Sequence, residues 1–229
     1  MLWVACSNGS LYHIDWTSSA ADRESKKIRR LRTTSGTCTA MTLVQARING
    51  KDEDILLVAE RLQAKSAAIM AYKGEVGKKK ESVKLASIPS PQHDITLLEA
   101  CQEAMTIVGV ANELVCVTTL KATEDVPLDA RKNESYLFDA PEGICALDVR
   151  QNAPSKKKSR NLNIILGSIH GRIFIYEDVL NKLARQEMGS FQARRLHWHR
   201  RAVHALKWSR DGQFTLPIFF SLHRFPIMF

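Results

Sequence analysis

The stretch that decides the fold runs from Asn163 to Asp178 and reads NIILGSIHGRIFIYED. Two runs of β-branched and aromatic residues flank a polar turn, and their apolar residues show no helical period. Gly171 stands in the turn, where the chain needs a positive φ that glycine adopts without strain. The segment therefore predicts a β-hairpin. Residues 2–16, LWVACSNGSLYHIDW, repeat the design with Gly9 in the turn.

The same unit recurs through the chain. A large apolar residue followed by a small one appears as Val4-Ala5-Cys6, Val58-Ala59-Glu60, Val108-Gly109-Val110 and Leu166-Gly167-Ser168. The small residues stand at 5, 59, 109 and 167, separated by 54, 50 and 58 positions. Hairpins are thus expected near 2–16, 55–72, 106–120 and 163–178. A second pattern, x-Ala-large-x-large, precedes them at Thr39–Leu43, Cys145–Val149 and His204–Trp208, and its alternation marks a strand. The third unit lacks this Ala; its strand is expected near Asp94–Leu98. A further strand is expected at an exposed edge in Ile28–Arg32, Val83–Ile88, Ser135–Phe138 and Arg195–Trp198.

Four short antiparallel strands per repeat describe a β-propeller blade. The sequence therefore predicts an all-β, incomplete WD-repeat-like β-propeller of roughly four blades, each of four antiparallel strands, over residues 1–212. A β-sandwich with chance similarity between strands is the alternative. The repeat exceeds the ~40–45 residues usual for such a blade. The excess falls in polar loops at 17–27, 74–81, 123–133 and 152–161, where insertions cost little.

The pattern stops after Gly212. The next small residue is due near 225, yet residues 213–229 read QFTLPIFFSLHRFPIMF, with five of the eight Phe and two of the seven Pro. Pro217 and Pro226 are expected to interrupt strand pairing, which makes 213–229 an atypical hydrophobic tail outside a normal blade. The chain reads as a piece of a larger ring.

Composition bounds the function. Hydrophobic residues make up 45% and charged residues 25%, which is ordinary for a globular chain. Residues 1–150 hold 19 basic and 20 acidic side chains, whereas 151–229 hold 14 basic and 4 acidic. The excess positive charge lies in the last third and suits a polyanion such as RNA, DNA or an acidic protein. Near Met1 there is no basic leader with a long apolar run, and no apolar run approaches the ~20 residues of a membrane span. Cys6, Cys38, Cys101, Cys116 and Cys145 are irregularly spaced, which suits small core residues in a reducing compartment.

No P-loop, nucleophile elbow, dinucleotide fingerprint or HExxH occurs, so the chain reads as non-enzymatic and without a cofactor. His197 and His199 alternate on one strand face, the spacing of a metal pair, but no Cys or carboxylate is near in sequence to complete a site. Candidate contacts to RNA or to an acidic partner are Lys156, Lys157, Lys158, Arg160, Arg194, Arg195, Arg200 and Arg201. In 194–201 the arginines interleave with His197, Trp198 and His199, a combination that can hold a phosphate and stack on a base.

Residues 163–212 carry a family resemblance. The order Gly-Arg-Ile-Phe-Ile-Tyr at 171–176, Leu-His-Trp-His at 196–199 and Ala-Val-His-Ala-Leu-Lys-Trp-Ser-Arg-Asp-Gly at 202–212 resembles the WD repeat-containing protein 75 family. These are WD-repeat subunits of the UtpA (t-UTP) subcomplex of the small-subunit processome. The resemblance extends loosely over 1–212, including the opening LWVACSNGSLYHIDW. It implies a nucleolar scaffold on nascent pre-ribosomal RNA that supports RNA polymerase I transcription and early processing. It also implies a nuclear and nucleolar location. Implied partners are other WD-repeat processome subunits and pre-rRNA or small nucleolar RNA, with no membrane and no small-molecule substrate. A generic WD-repeat adaptor in another pathway is the competing reading.

Overall fold

The computed structural model describes residues 2–14, 28–32, 37–48, 51–62, 66–73, 82–89, 93–102, 104–120, 133–151, 162–185, 191–197, 200–209 and 215–218. The chain divides into two compact units, Met1–Pro141 and Glu142–Phe229.

In the first unit, β1 (Leu2–Ala5), β2 (Ser10–Ile14) and β3 (Ile28–Arg32) form a three-stranded sheet in that order. β4 (Ala40–Ile48), β5 (Lys51–Leu62), β6 (Ser66–Lys73) and β7 (Ser82–Pro89) form a four-stranded sheet, again in chain order. β8 (Leu97–Cys101), β9 (Thr106–Ala111), β10 (Leu114–Thr119) and β11 (Glu134–Asp139) form another. In the second unit, β12 (Ile144–Gln151), β13 (Leu162–Ser168), β14 (Arg172–Tyr176) and β15 (Arg194–His197) repeat the arrangement. A short helix, α1 (Val179–Ala184), lies between β14 and β15 in sequence and buries Val179, Leu180 and Leu183. β16 (Ala205–Trp208) pairs with β17 (Thr215–Ile218). The chain is an incomplete β-propeller built of four-stranded antiparallel blades.

The register explains the repeat. Ala59 pairs with Ala40 and Ile69, Gly109 with Leu98 and Cys116, and Gly167 with Ala146 and Ile173. Ala5 pairs with Leu11 in the same way. Ala59, Gly109 and Gly167 thus sit on the second strand of a blade, opposite the third, and Ala5 sits on the first described strand of its sheet. Gly9 and Gly171 take φ of 77° and 78° in their turns, the conformation that glycine alone adopts freely. The edge strands also fall where expected, in β3, β7, β11 and β15.

Strand alternation sends successive side chains to opposite faces, so each inner sheet feeds two cores. On β5 and β6, Leu56, Val58, Ala68, Met70 and Tyr72 pack with Trp3 and Leu11 of the first blade. Their alternates, Ile55, Leu57, Ala59, Ala67, Ile69 and Ala71, pack with Ile95, Leu98, Ile107 and Cys116 of the third. In the second unit Ala146, Ile165, Ile173 and Ile175 pack with Val203 and Leu206. A buried polar tie joins the same two blades. The Asp148 carboxylate accepts from Lys207 Nζ at 2.8 Å and from the Trp208 amide at 2.7 Å.

Two expectations are corrected. The inner strand of the third blade is Leu97–Cys101, three residues later than Asp94–Leu98. Leu97, opposite Val110, takes the place that Ala40 holds opposite Ala59. Leu98 and Gly109 face Ile69 of the preceding blade, whereas Ala59 and Gly167 face the following one, so Gly109 is not equivalent to them. Pro217 does not interrupt pairing: β17 pairs with β16, and Pro217 stands opposite Leu206. Among the described residues β17 is a sheet edge, where a residue without an N–H is tolerated. Ile218 lies opposite Ala205, seven positions before the expected 225. The remainder of 213–229 lies outside the described residues.

The small residues differ in tolerance. A Cβ on Gly167 would meet Val203 Cγ1 at 2.7 Å, Val203 Cβ at 2.8 Å and Leu206 Cδ1 at 3.0 Å. Gly167→Ala is expected to cost about 1–3 kcal/mol by overpacking. On Gly109 the nearest atoms are Ile95 Cγ2 at 3.4 Å and Ile69 Cδ1 at 3.5 Å, ordinary contact distances. Gly109→Ala should be neutral or stabilising by about 0.5–1 kcal/mol, because alanine loses less backbone entropy on folding. Urea unfolding of both variants checks this ordering. Asp148→Ala should cost about 2 kcal/mol, chiefly by stranding the Trp208 amide, since Lys207 is exposed enough to turn to water. The Asp148→Asn variant keeps an acceptor and should lose less in the same assay.

Candidate polyanion interface

In an antiparallel blade the turn between the second and third strands and the link to the next blade lie at the same end. In the second unit that end holds the Ser168–Gly171 turn, the Glu142–Gly143 approach to β12 and residues 200–204 leading into β16. The Val203 amide donates to the Ser168 carbonyl at 3.0 Å, which ties the 200–204 segment beside the turn. Cys145 Sγ donates to the Val203 carbonyl at 3.1 Å. The Ser168 hydroxyl oxygen accepts from the His170 and Arg172 amides and fixes the turn itself.

Cations gather at this end. Arg172 pairs with His197 across the β14–β15 ladder. Arg200, Arg201, His170, His197 and His204 are exposed. Arg172 is partly neutralised, since Nη1 donates to Glu142 Oε2 at 2.7 Å. Glu142 is buried, and its Oε1 has no hydrogen-bond partner. Among the described residues, Arg200 and Arg201 have no acidic partner, so their charge faces solvent and any ligand that approaches.

The two other arginines differ. Arg194 and Arg195 are exposed on β15, the outer edge of the blade. The Arg195 guanidinium lies over the Phe174 ring, 5.6 Å from its centroid, a contact of about 0.5–1 kcal/mol at an exposed site. Its charge also reaches Tyr176, which stacks on Phe191 with centroids 5.3 Å apart. Burial pushes the Tyr176 phenol up to about 12, and the Arg195 charge opposes that shift. Arg195 thus serves the fold, while Arg194, on the alternate face, does not share this contact.

Lys156, Lys157, Lys158 and Arg160 lie outside the described residues. Their flanks, Gln151 and Leu162, pair with each other at the opposite end of the sheet from His197. The fold therefore brings Arg200 and Arg201 together with Arg172, His170 and His204, not with the flanks of the lysine run. The sequence by itself does not single out Arg172 and His170. Their signal is faint: both adjoin Gly171, and only the pairing of Arg172 with His197 carries them to this end. Trp198 and His199 lie outside the described residues, so the stacking reading and the metal pair rest there on sequence alone. Among the described residues no group of three or more His, Cys, Asp or Glu is placed to hold a metal ion. Burial raises the thiol pKa of Cys38, Cys116 and Cys145, the direction opposite to an activated nucleophile.

No family model and no curated protein matches this chain. Among solved structures, it is similar to BBS1N, a β-propeller, in a crystal structure of BBS1N in complex with ARL6DN, soaked with lead. The TM-score is 0.52 at 13% sequence identity, over 94% of this chain. This chain spans 55% of the length of that one. At that identity the likeness concerns the fold.

Proposed function

We propose that this chain is a non-catalytic propeller scaffold of nucleolar ribosome biogenesis. In this reading it supports small-subunit pre-rRNA processing and RNA polymerase I transcription, and its partners are other WD-repeat processome subunits and pre-rRNA or small nucleolar RNA. The observation that carries the reading is the separation of charge between the units. Met1–Pro141 holds 18 basic and 18 acidic residues, whereas Glu142–Phe229 holds 15 basic and 6 acidic. A blade stack needs no such bias, and a surface for phosphates does. The Leu-His-Trp-His element and its flanks support the processome assignment. A propeller that stands in a protein complex, as BBS1N does, favours the second reading, a protein-interaction adaptor in another pathway.

Single-stranded pre-rRNA fragments should bind the chain with an affinity that falls steeply with salt. Removing one phosphate-binding cation lowers the slope of log affinity against log salt by about 0.7 for a single strand. Arg200→Glu with Arg201→Glu should weaken binding across all sequences and reduce that slope by about 1–2. Fluorescence anisotropy over a salt series reads both. An affinity that ignores salt, or a double variant that binds as the parent does, overturns the RNA reading. Affinity capture from nuclear extract should recover processome WD-repeat subunits; recovery of cytosolic partners alone favours the adaptor.

A further inference from the structure

The loop end of Glu142–Phe229 carries histidines beside its arginines. His170 stands in the Ser168–Gly171 turn, and His197 closes β15 opposite Arg172. His204 adjoins Val203, whose amide donates to the Ser168 carbonyl. All three histidine side chains are exposed. They come from three separate segments, and the turn, the β14–β15 ladder and the Val203–Ser168 bond carry them to one place. Histidine ordinarily titrates near about pH 6.5, so its charge changes within the physiological range.

The other ionisable groups around this end do not change charge in that range. Arg172 on β14 and Arg200 and Arg201 on the link stay cationic throughout. Arg194 and Arg195 lie further along β15, and Arg195 rests on Phe174. Cys145 donates to the Val203 carbonyl, and burial raises its thiol pKa, so it stays neutral. Asp148 is held by Lys207 and the Trp208 amide. Glu177 and Asp178 follow the last residue of β14, at the other end of that strand from Arg172. Among the described residues of this unit, Glu142 is the carboxylate at the loop end, and Arg172 engages it. The histidines are therefore the groups through which pH resets the charge of this surface.

We infer that this end takes up protons when it binds single-stranded RNA, with His170, His197 and His204 contacting phosphate as imidazolium. The inference rests on the RNA reading above and names the groups that regulate that site. A phosphate beside an imidazole favours its charged form, and by reciprocity the charged form favours the phosphate. The affinity therefore rises as pH falls through the histidine range, and the gain is lost as pH rises above it. At higher pH the end presents Arg200, Arg201 and an Arg172 partly neutralised by Glu142. At lower pH the three imidazolium groups add to them, and the carboxylate at this end is already engaged. Phosphodiesters keep their charge across the same range, so the dependence belongs to the protein.

The test is fluorescence anisotropy of a labelled single-stranded oligouridylate, titrated with the full chain at fixed salt from about pH 8 to about pH 6. Uracil keeps one protonation state over that interval. Affinity is expected to rise about tenfold or more as the pH falls. His170→Gln, His197→Gln and His204→Gln together should abolish the rise, so that the variant binds no more tightly at the lower pH than at the higher. Each single change should remove part of it. The three side chains are exposed, and circular dichroism at both pH values checks that parent and variants stay folded. Binding that responds to salt but not to pH overturns this inference and leaves the RNA reading standing. A pH response retained in full by the triple variant overturns it as well. Absence of binding at either pH overturns both.

Discussion

The whole arrangement depends on how closely one sheet can approach the next at the second strand of each blade. Two sheets packed face to face stand about 10 Å apart when ordinary side chains fill the gap. Here the positions at Ala5, Ala59, Gly109 and Gly167 keep one wall low, and the large residues of the adjoining blade drop into the space. Gly167 shows the tightest fit, with Val203 closer than any Cβ allows. Gly109 shows a looser one. It stands on the other face of its sheet, opposite Leu98 and against Ile69 of the preceding blade. What is kept is the close approach of the sheets, not the face on which the small residue stands.

That rule separates what the sequence discloses from what it hides. The hairpins at 2–14 and 162–176 are legible because a turn glycine and a small residue fix register from both ends. The edge strands are legible from their similar spacing, with starts at 28, 82, 134 and 194. The inner strand of the third blade begins three residues beyond its expected place, because Leu97 stands where the other inner strands carry alanine and Gly109 lies one position out of register with Ala59. Pro217 misleads in a different way. The penalty for proline is local to an N–H that must donate, and an edge strand offers a side where none must. The exposure of Met41 and Leu43 is not legible at all. They alternate like core residues, and nothing local to them says that no described strand covers their far side.

The cationic end has the same character. Arg200 and Arg201 stand out in sequence as a pair, but Arg172 and His170 look like hairpin residues. They reach the same end because the turn and the link into β16 are tied by the Val203–Ser168 hydrogen bond. Two of the arginines in the run resolve into different roles. Arg195 rests on Phe174, and its removal would expose an aromatic face as well as delete a charge. Arg200 and Arg201 have no such duty, which is why they, and not Arg195, report cleanly on a polyanion.

A blade is a stack whose cohesion lies between sheets, so its sheet edges and its loop-bearing ends contribute little to the core. Both are therefore open to variation without cost to the stack, which is the physical ground for a scaffold role. In Glu142–Phe229 the loop end gathers Arg200 and Arg201 beside Arg172, whose charge Glu142 partly neutralises. Attraction between such an end and a polyanion would act at a distance and fall off with salt.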